Sequence, residues 1–191
     1  TLGNGATSGV LGIGGGDTSR SQELAGLLTS GSGTANRVVG GGSGTFSTLT
    51  LNVAGTTVFG GILGGPGGTE NQLRLVKTGD GILTLTGVST YVGATTVSGG
   101  TLRMENGGRI ASGSGVTIGS GATFEVETTD WTFGGAVSGT GALTKLGDGI
   151  LTLTGSLKGF TGNAQIENGV LRIQDAGGYG LAGSINLPSD A

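Results

Sequence analysis

Apolar and polar residues alternate in short segments along this chain, and most segments are bounded by glycine. Leu49 to Val53, Val58 to Leu63, Leu73 to Val76, Ile82 to Thr86, Thr101 to Met104, Thr123 to Val126, Leu143 to Leu146, Ile150 to Thr154 and Val170 to Ile173 are the clearest. A period of two sends successive side chains to opposite faces of an extended backbone, so each segment predicts a strand with one buried face. Leu83 and Leu85 then point inward with Thr84 and Thr86 outside, and Leu151 and Leu153 point inward with Thr152 and Thr154 outside. By the same parity Leu102, Met104, Leu171 and Ile173 face in, while Arg103 and Arg172 face out. Helical spacing is nearly missing. Only Ser19 to Leu28, SRSQELAGLL, has the composition for a couple of turns, with Ser21 as cap and Gly26 against it.

The pattern is also copied. Lys77, Gly79, Asp80, Gly81, Leu83, Leu85 and Gly87 recur as Lys145, Gly147, Asp148, Gly149, Leu151, Leu153 and Gly155, an offset of 68 residues that becomes 69 from Tyr91 opposite Phe160 onward. Upstream, Phe59-Gly60-Gly61 pairs with Phe133-Gly134-Gly135 at an offset of 74, the difference being an insertion around Pro66 to Asn71. A fixed period of this size marks a repeat architecture, in which each unit buries its apolar face against its neighbours. The expected organisation is one continuous fragment over residues 1–191, with units at about 46–115 and 116–184 and degenerate coils at 1–45. A truncated coil is expected at 181–191, where LAGSINL is similar to IASGSGVTI at Ile110 to Ile118, so the chain reads as a piece of a longer array.

Glycine supplies 47 of the 191 residues, yet it does not recur at every third position and there are only two prolines, which excludes collagen. The regular apolar alternation excludes a disordered linker. Aromatics at 4% and strands this short cannot fill the thick core of a two-sheet sandwich. A parallel β-helix asks less, because each coil needs only small inward aliphatics and glycine at its corners. The sequence therefore predicts an all-β fold, a parallel β-helix (β-solenoid) with Gly-rich corners at Gly79, Gly81, Gly87, Gly93, Gly147, Gly149, Gly155 and Gly162. Coils of about 20 residues stacked at about 4.8 Å would make a rod about 40 to 50 Å long, with about three coils per unit.

Charge and reactive side chains narrow the function. No cysteine and no histidine are present, which removes disulfides, thiolate metal sites and the usual imidazole base. The nine Lys and Arg are scattered singly against 12 Asp and Glu, so no basic stripe follows a phosphate backbone and nucleic acid is not an expected partner. No stretch approaches the roughly 20 apolar residues of a membrane span, so insertion of this segment into a membrane is not expected either.

Lys77, Gly79-Asp80-Gly81, Leu83-Thr84-Leu85-Thr86-Gly87, Tyr91, Gly93, Thr95-Thr96-Val97 and Gly99-Gly100-Thr101-Leu102 resemble the autotransporter-associated β-strand repeat, also called the passenger-associated transport repeat. The second copy keeps both ends of the pattern and departs in its middle, where Phe160 stands for the Tyr and Asn163-Ala164-Gln165-Ile166 for Ala-Thr-Thr-Val. The resemblance implies a right-handed parallel β-helix in a large secreted or surface-displayed bacterial protein, an adhesin or autotransporter passenger, with the repeat serving as stalk rather than catalyst. Its expected partners are further repeats of the parent chain, other copies of itself by end-to-end or lateral assembly, and surface glycans. No cofactor is expected.

Two groups of residues invite a chemical reading. Gly-Asp-Gly at 79 to 81 and at 147 to 149 is similar to the calcium loops of β-rolls, which would make Asp80 and Asp148 ligands; a turn with a local Asp hydrogen bond is the simpler expectation. Glu125 and Glu127 share one strand face, with Asp130 and Trp131 just beyond, the one acidic and aromatic cluster in the chain and a candidate glycan contact. Solvated carboxylates beside a partly buried Trp are the plainer reading, since glycoside cleavage needs one carboxyl kept protonated by burial.

Overall fold

A computed structural model of the chain describes residues 1–14, 20–42, 44–127, 129–174 and 184–187. In chain order the strands fall into successive coils: β1 (Val10–Gly12) and β2 (Ser21–Leu24); β3 (Arg37–Val39), β4 (Ser47–Asn52) and β5 (Thr56–Phe59); β6 (Ile62–Leu63), β7 (Leu73–Thr78) and β8 (Ile82–Leu85). Next come β9 (Thr95–Val97) and β10 (Thr101–Met104), then β11 (Val116–Ile118) and β12 (Thr123–Glu127). The later coils hold β13 (Trp131–Phe133), β14 (Val137–Gly139) and β15 (Ala142–Leu146); β16 (Ile150–Leu153), β17 (Gly159–Phe160) and β18 (Ala164–Ile166); and β19 (Val170–Ile173) with β20 (Ile185–Asn186).

These strands stack into three sides. Side one begins as β1-β3-β6, narrows to a single parallel bridge between Val88 and Arg109, and continues as β13-β16-β19. Side two is β2-β4-β7-β9-β11-β14-β17, and side three is β5-β8-β10-β12-β15-β18-β20. The strand pairings among the described residues are parallel, and no helix occurs among them, so the all-β parallel β-helix holds. The helix expected at Ser19 to Leu28 does not form. Ser19 lies outside the described residues, and Ser21–Leu24 is a strand in register with Thr48–Leu51, because a ladder of backbone hydrogen bonds outweighs a weak local preference.

The core is one continuous column of inward residues. On side three, Leu83, Leu102, Phe124, Leu143 and Ala164 are register partners and all are buried. Each such leucine contributes about 1.5–3 kcal/mol by leaving water. Leu85, Met104, Leu151 and Leu153 are buried as the alternation predicts, whereas Leu171 and Ile173 on β19 are only partly covered.

Coil length is not uniform. The step on side two is 27 residues from Ser21 to Thr48 and 26 from Ser47 to Leu73, then falls to 20 from Leu75 to Thr95 and 21 from Thr95 to Val116. The expected step of about 20 therefore holds only beyond Leu75. Tight corners let the coils stack: an added Cβ on Gly162 would sit 1.7 Å from the Gly141 carbonyl oxygen of the coil below, and Gly79 turns at a φ of +74°. Most of the coil expected at 181–191 lies outside the described residues.

Candidate functional site

The repeated residues meet at a corner, and the lysine is its centre. Lys77 occupies an inward position of β7, in register between Leu51 below and Val97 above, and is fully buried. Its Nζ donates to the carbonyl oxygens of Thr78 (2.8 Å), Gly79 (2.8 Å) and, one coil on, Gly99 (3.0 Å). Three N–H donors thus find three acceptors, the condition under which a buried ammonium is tolerated. Burial still pulls the Lys77 pKa below its usual value, and the nearby Asp80 carboxylate opposes that shift.

The second copy repeats this geometry. Lys145 is fully buried between Val126 and Ile166, and its Nζ donates to the carbonyls of Leu146, Gly147 (2.6 Å) and Asn168 (3.4 Å). Burial lowers its pKa as well, against the pull of Asp148 and Asp130. Sequence reading grouped both lysines with the repeat but did not see their burial. The signal was present in strand parity: Leu75-x-Lys77 and Leu143-x-Lys145 place the lysine in phase with inward leucines.

The two corners stand on different edges. Lys77 closes the turn from side two to side three, between β7 and β8, whereas Lys145 closes the turn from side three to side one, between β15 and β16. Every matched pair moves the same way: β7 to β15, β8 to β16, β9 to β18, β10 to β19 and β5 to β13 each advance by one side. A 68-residue offset is three steps of 20 to 21 residues plus one further side, so the unit spans three and a third coils rather than the expected three.

That offset separates the two aspartates. Asp80 and Asp148 are both exposed and do not stack, and Asp148 instead accepts a hydrogen bond from the Asn168 side chain (2.5 Å). Among the described residues no group of three or more His, Cys, Asp or Glu side chains is arranged to hold a metal.

The acidic and aromatic cluster is divided by a corner. Glu125 lies on the outer face of side three, where its Oε2 accepts from Arg103 Nε at 2.6 Å, a bond that raises the Arg103 pKa. Glu127 follows on the same strand. Asp130 is exposed at the corner to side one and accepts from the Ile150 N–H (2.8 Å). Trp131 points inward, 5% exposed, with its ring 5.1 Å from that of Phe133. A sugar-stacking platform needs an open ring face, which Trp131 does not offer here.

No curated protein and no solved structure matches the chain. Residues 75–104 and 143–173 match the family model described as Passenger-associated-transport-repeat, and these are the two stretches that carry the buried-lysine corner. The chain is thus a parallel β-helix in which two stretches match the passenger-associated-transport repeat, a structural repeat of autotransporter passengers.

Proposed function

We propose that this chain is a stalk segment of a secreted or surface-displayed bacterial protein, without catalytic activity of its own. The observation that carries the reading is the use of the repeated residues. Lys77 and Lys145 spend every ammonium proton on backbone carbonyls, and the repeated leucines Leu83, Leu85, Leu151 and Leu153 are interior. What the repeat preserves is the closure of coils, not an exposed constellation.

A stalk lengthens in proportion to the units it holds. Inserting one further 68-residue unit should extend the rod by about 16 Å, three and a third rungs at about 4.8 Å each. Small-angle scattering of the two purified chains measures this directly, and an unchanged maximum dimension would sink the reading. Electron microscopy of the same samples should show separate short rods. Long unbranched filaments would instead favour end-to-end assembly of copies as the function.

A further inference from the structure

The phase advance of the repeat gives one motif position two different surroundings. Arg103 in the first copy is held on side three by Glu125. Its counterpart Arg172 lies on side one, is exposed and has no partner among the described residues. Side one carries a shallow groove of about 590 Å³ that runs across the rungs from Val88 to Arg172. Arg109 lines the same groove. Its Nη2 donates to the Asp130 backbone carbonyl (2.7 Å), and its Nε is shielded from solvent with no acceptor among the described residues.

We propose that this groove binds a linear acidic polysaccharide lying along the rod, held at its two ends by the guanidinium groups of Arg109 and Arg172. The two arginines stand on rungs three apart, about 14 Å along the rod, so they reach separate acid groups of one extended chain. Between them Thr132 is exposed on the outer face, while its register partner Thr152, directly below Arg172, is buried. Guanidinium forks match carboxylate and sulfate oxygens, and hydroxyls match sugar hydroxyls. The rung spacing of a β-helix is also close to the monosaccharide repeat of an extended chain.

An acidic peptide fits less well. A peptide strand gains affinity by adding to a free sheet edge, whereas β16 in the middle of the groove is already paired on both sides, with β13 and β19. Among the described residues Asp130 is the one carboxylate lining the groove, and its Oδ1 is engaged by the Ile150 N–H. With a net charge of −3 the chain as a whole repels polyanions, so any attraction must be local.

The test is affinity electrophoresis of the 191-residue chain in gels containing polygalacturonate, dextran sulfate, neutral dextran or poly-glutamate, at low and at physiological salt. Retardation by polygalacturonate or dextran sulfate but not by dextran is expected, and the tighter of the two assigns carboxylate or sulfate. Arg172→Gln and Arg109→Gln should each weaken it about fivefold or more, while Arg20→Gln and Lys158→Gln, exposed cations outside the groove, should leave it unchanged. Thermal midpoints check folding, and the exposed Arg172 variant stands alone should Arg109→Gln fail to fold. No retardation by either polysaccharide overturns the proposal. So does an equal loss in the control variants, or poly-glutamate binding as tightly as the polysaccharides.

Discussion

Lys77 and Lys145 hold the same position in the repeat and do the same work on different edges of the helix. Each ammonium is buried under a corner and ties three backbone carbonyls together, two from its own corner and one from the coil above. The lysine is thus a non-covalent clamp between rungs, built from one side chain per repeat.

Removing the clamp should be costly in either copy. Lys77→Met and Lys145→Met keep the apolar stem and delete the three donors, so each is expected to lower stability by about 2–4 kcal/mol. Lys158→Met, at an exposed lysine, should change it by less than about 0.5 kcal/mol. Denaturant midpoints measure all three, and equal midpoints for the Lys77 and Lys158 variants would refute the clamp.

The same lysines set a pH dependence of definite sign. Their folded pKa values lie below the ordinary 10.5, so the folded state releases the proton more readily than the unfolded chain. The stability linked to them is full above 10.5 and is lost as pH falls through the folded pKa. Tyr91 acts oppositely: burial raises its pKa above the ordinary 10.0 despite the 2.6 Å hydrogen bond with Thr95, so stability is lost as pH climbs above 10. Between pH 7 and 10 the native chain should therefore gain stability relative to the Lys77→Met, Lys145→Met double variant. Parallel curves for the two proteins across that range would contradict the assignment.

Glycine corners differ in what they tolerate. Gly81 and Gly162 approach the carbonyl oxygens of Gly55 and Gly141 at 2.0 and 1.7 Å from where a Cβ would stand. Gly81→Ala and Gly162→Ala should each cost about 2–4 kcal/mol by forcing rungs apart. Gly55 and Gly113 have open space at that position and no positive φ, so alanine there should be neutral or stabilising by up to about 1 kcal/mol. Thermal unfolding of the four variants separates the classes, and a uniform response would count against close rung contact.

A charge in the inward column should open the coil locally. Leu85→Asp and Leu153→Asp place an unpaired carboxylate among fully packed aliphatics. New protease cleavage should appear in the flanking coils of each variant. Protease resistance equal to that of the native chain would remove both residues from the core.

Much of this was legible from individual residues. Period-two parity placed Leu83, Leu85, Leu102 and Met104 inside and Arg103 outside, and spacing found both repeats. Ser21 to Leu24 misled because its helix-forming residues carry a weak preference that a single neighbouring strand overrides. The plainer expectation for Trp131, a partly buried ring, follows from its place on a strand, where parity with Phe133 turns the ring inward. The place of Arg109 in the groove is not legible from sequence, since nothing in its own segment shows which residues lie one rung away.

Sequence alone determined the inward leucines, the corner glycines and that a unit recurs, because these follow from the local two-residue period and from chain identity. It did not determine the burial of Lys77, Lys145, Thr84 and Thr152, which packing across rungs imposes. Tertiary structure decided which side each strand joins. Residues in register lie 19 to 27 positions apart, so contacts across rungs depend on every loop length in between. A 68-residue unit wound on coils of 20 to 21 overshoots three coils by one side. That overshoot carries Arg172 to side one, away from side three, where the register of β10 and β12 pairs Arg103 with Glu125.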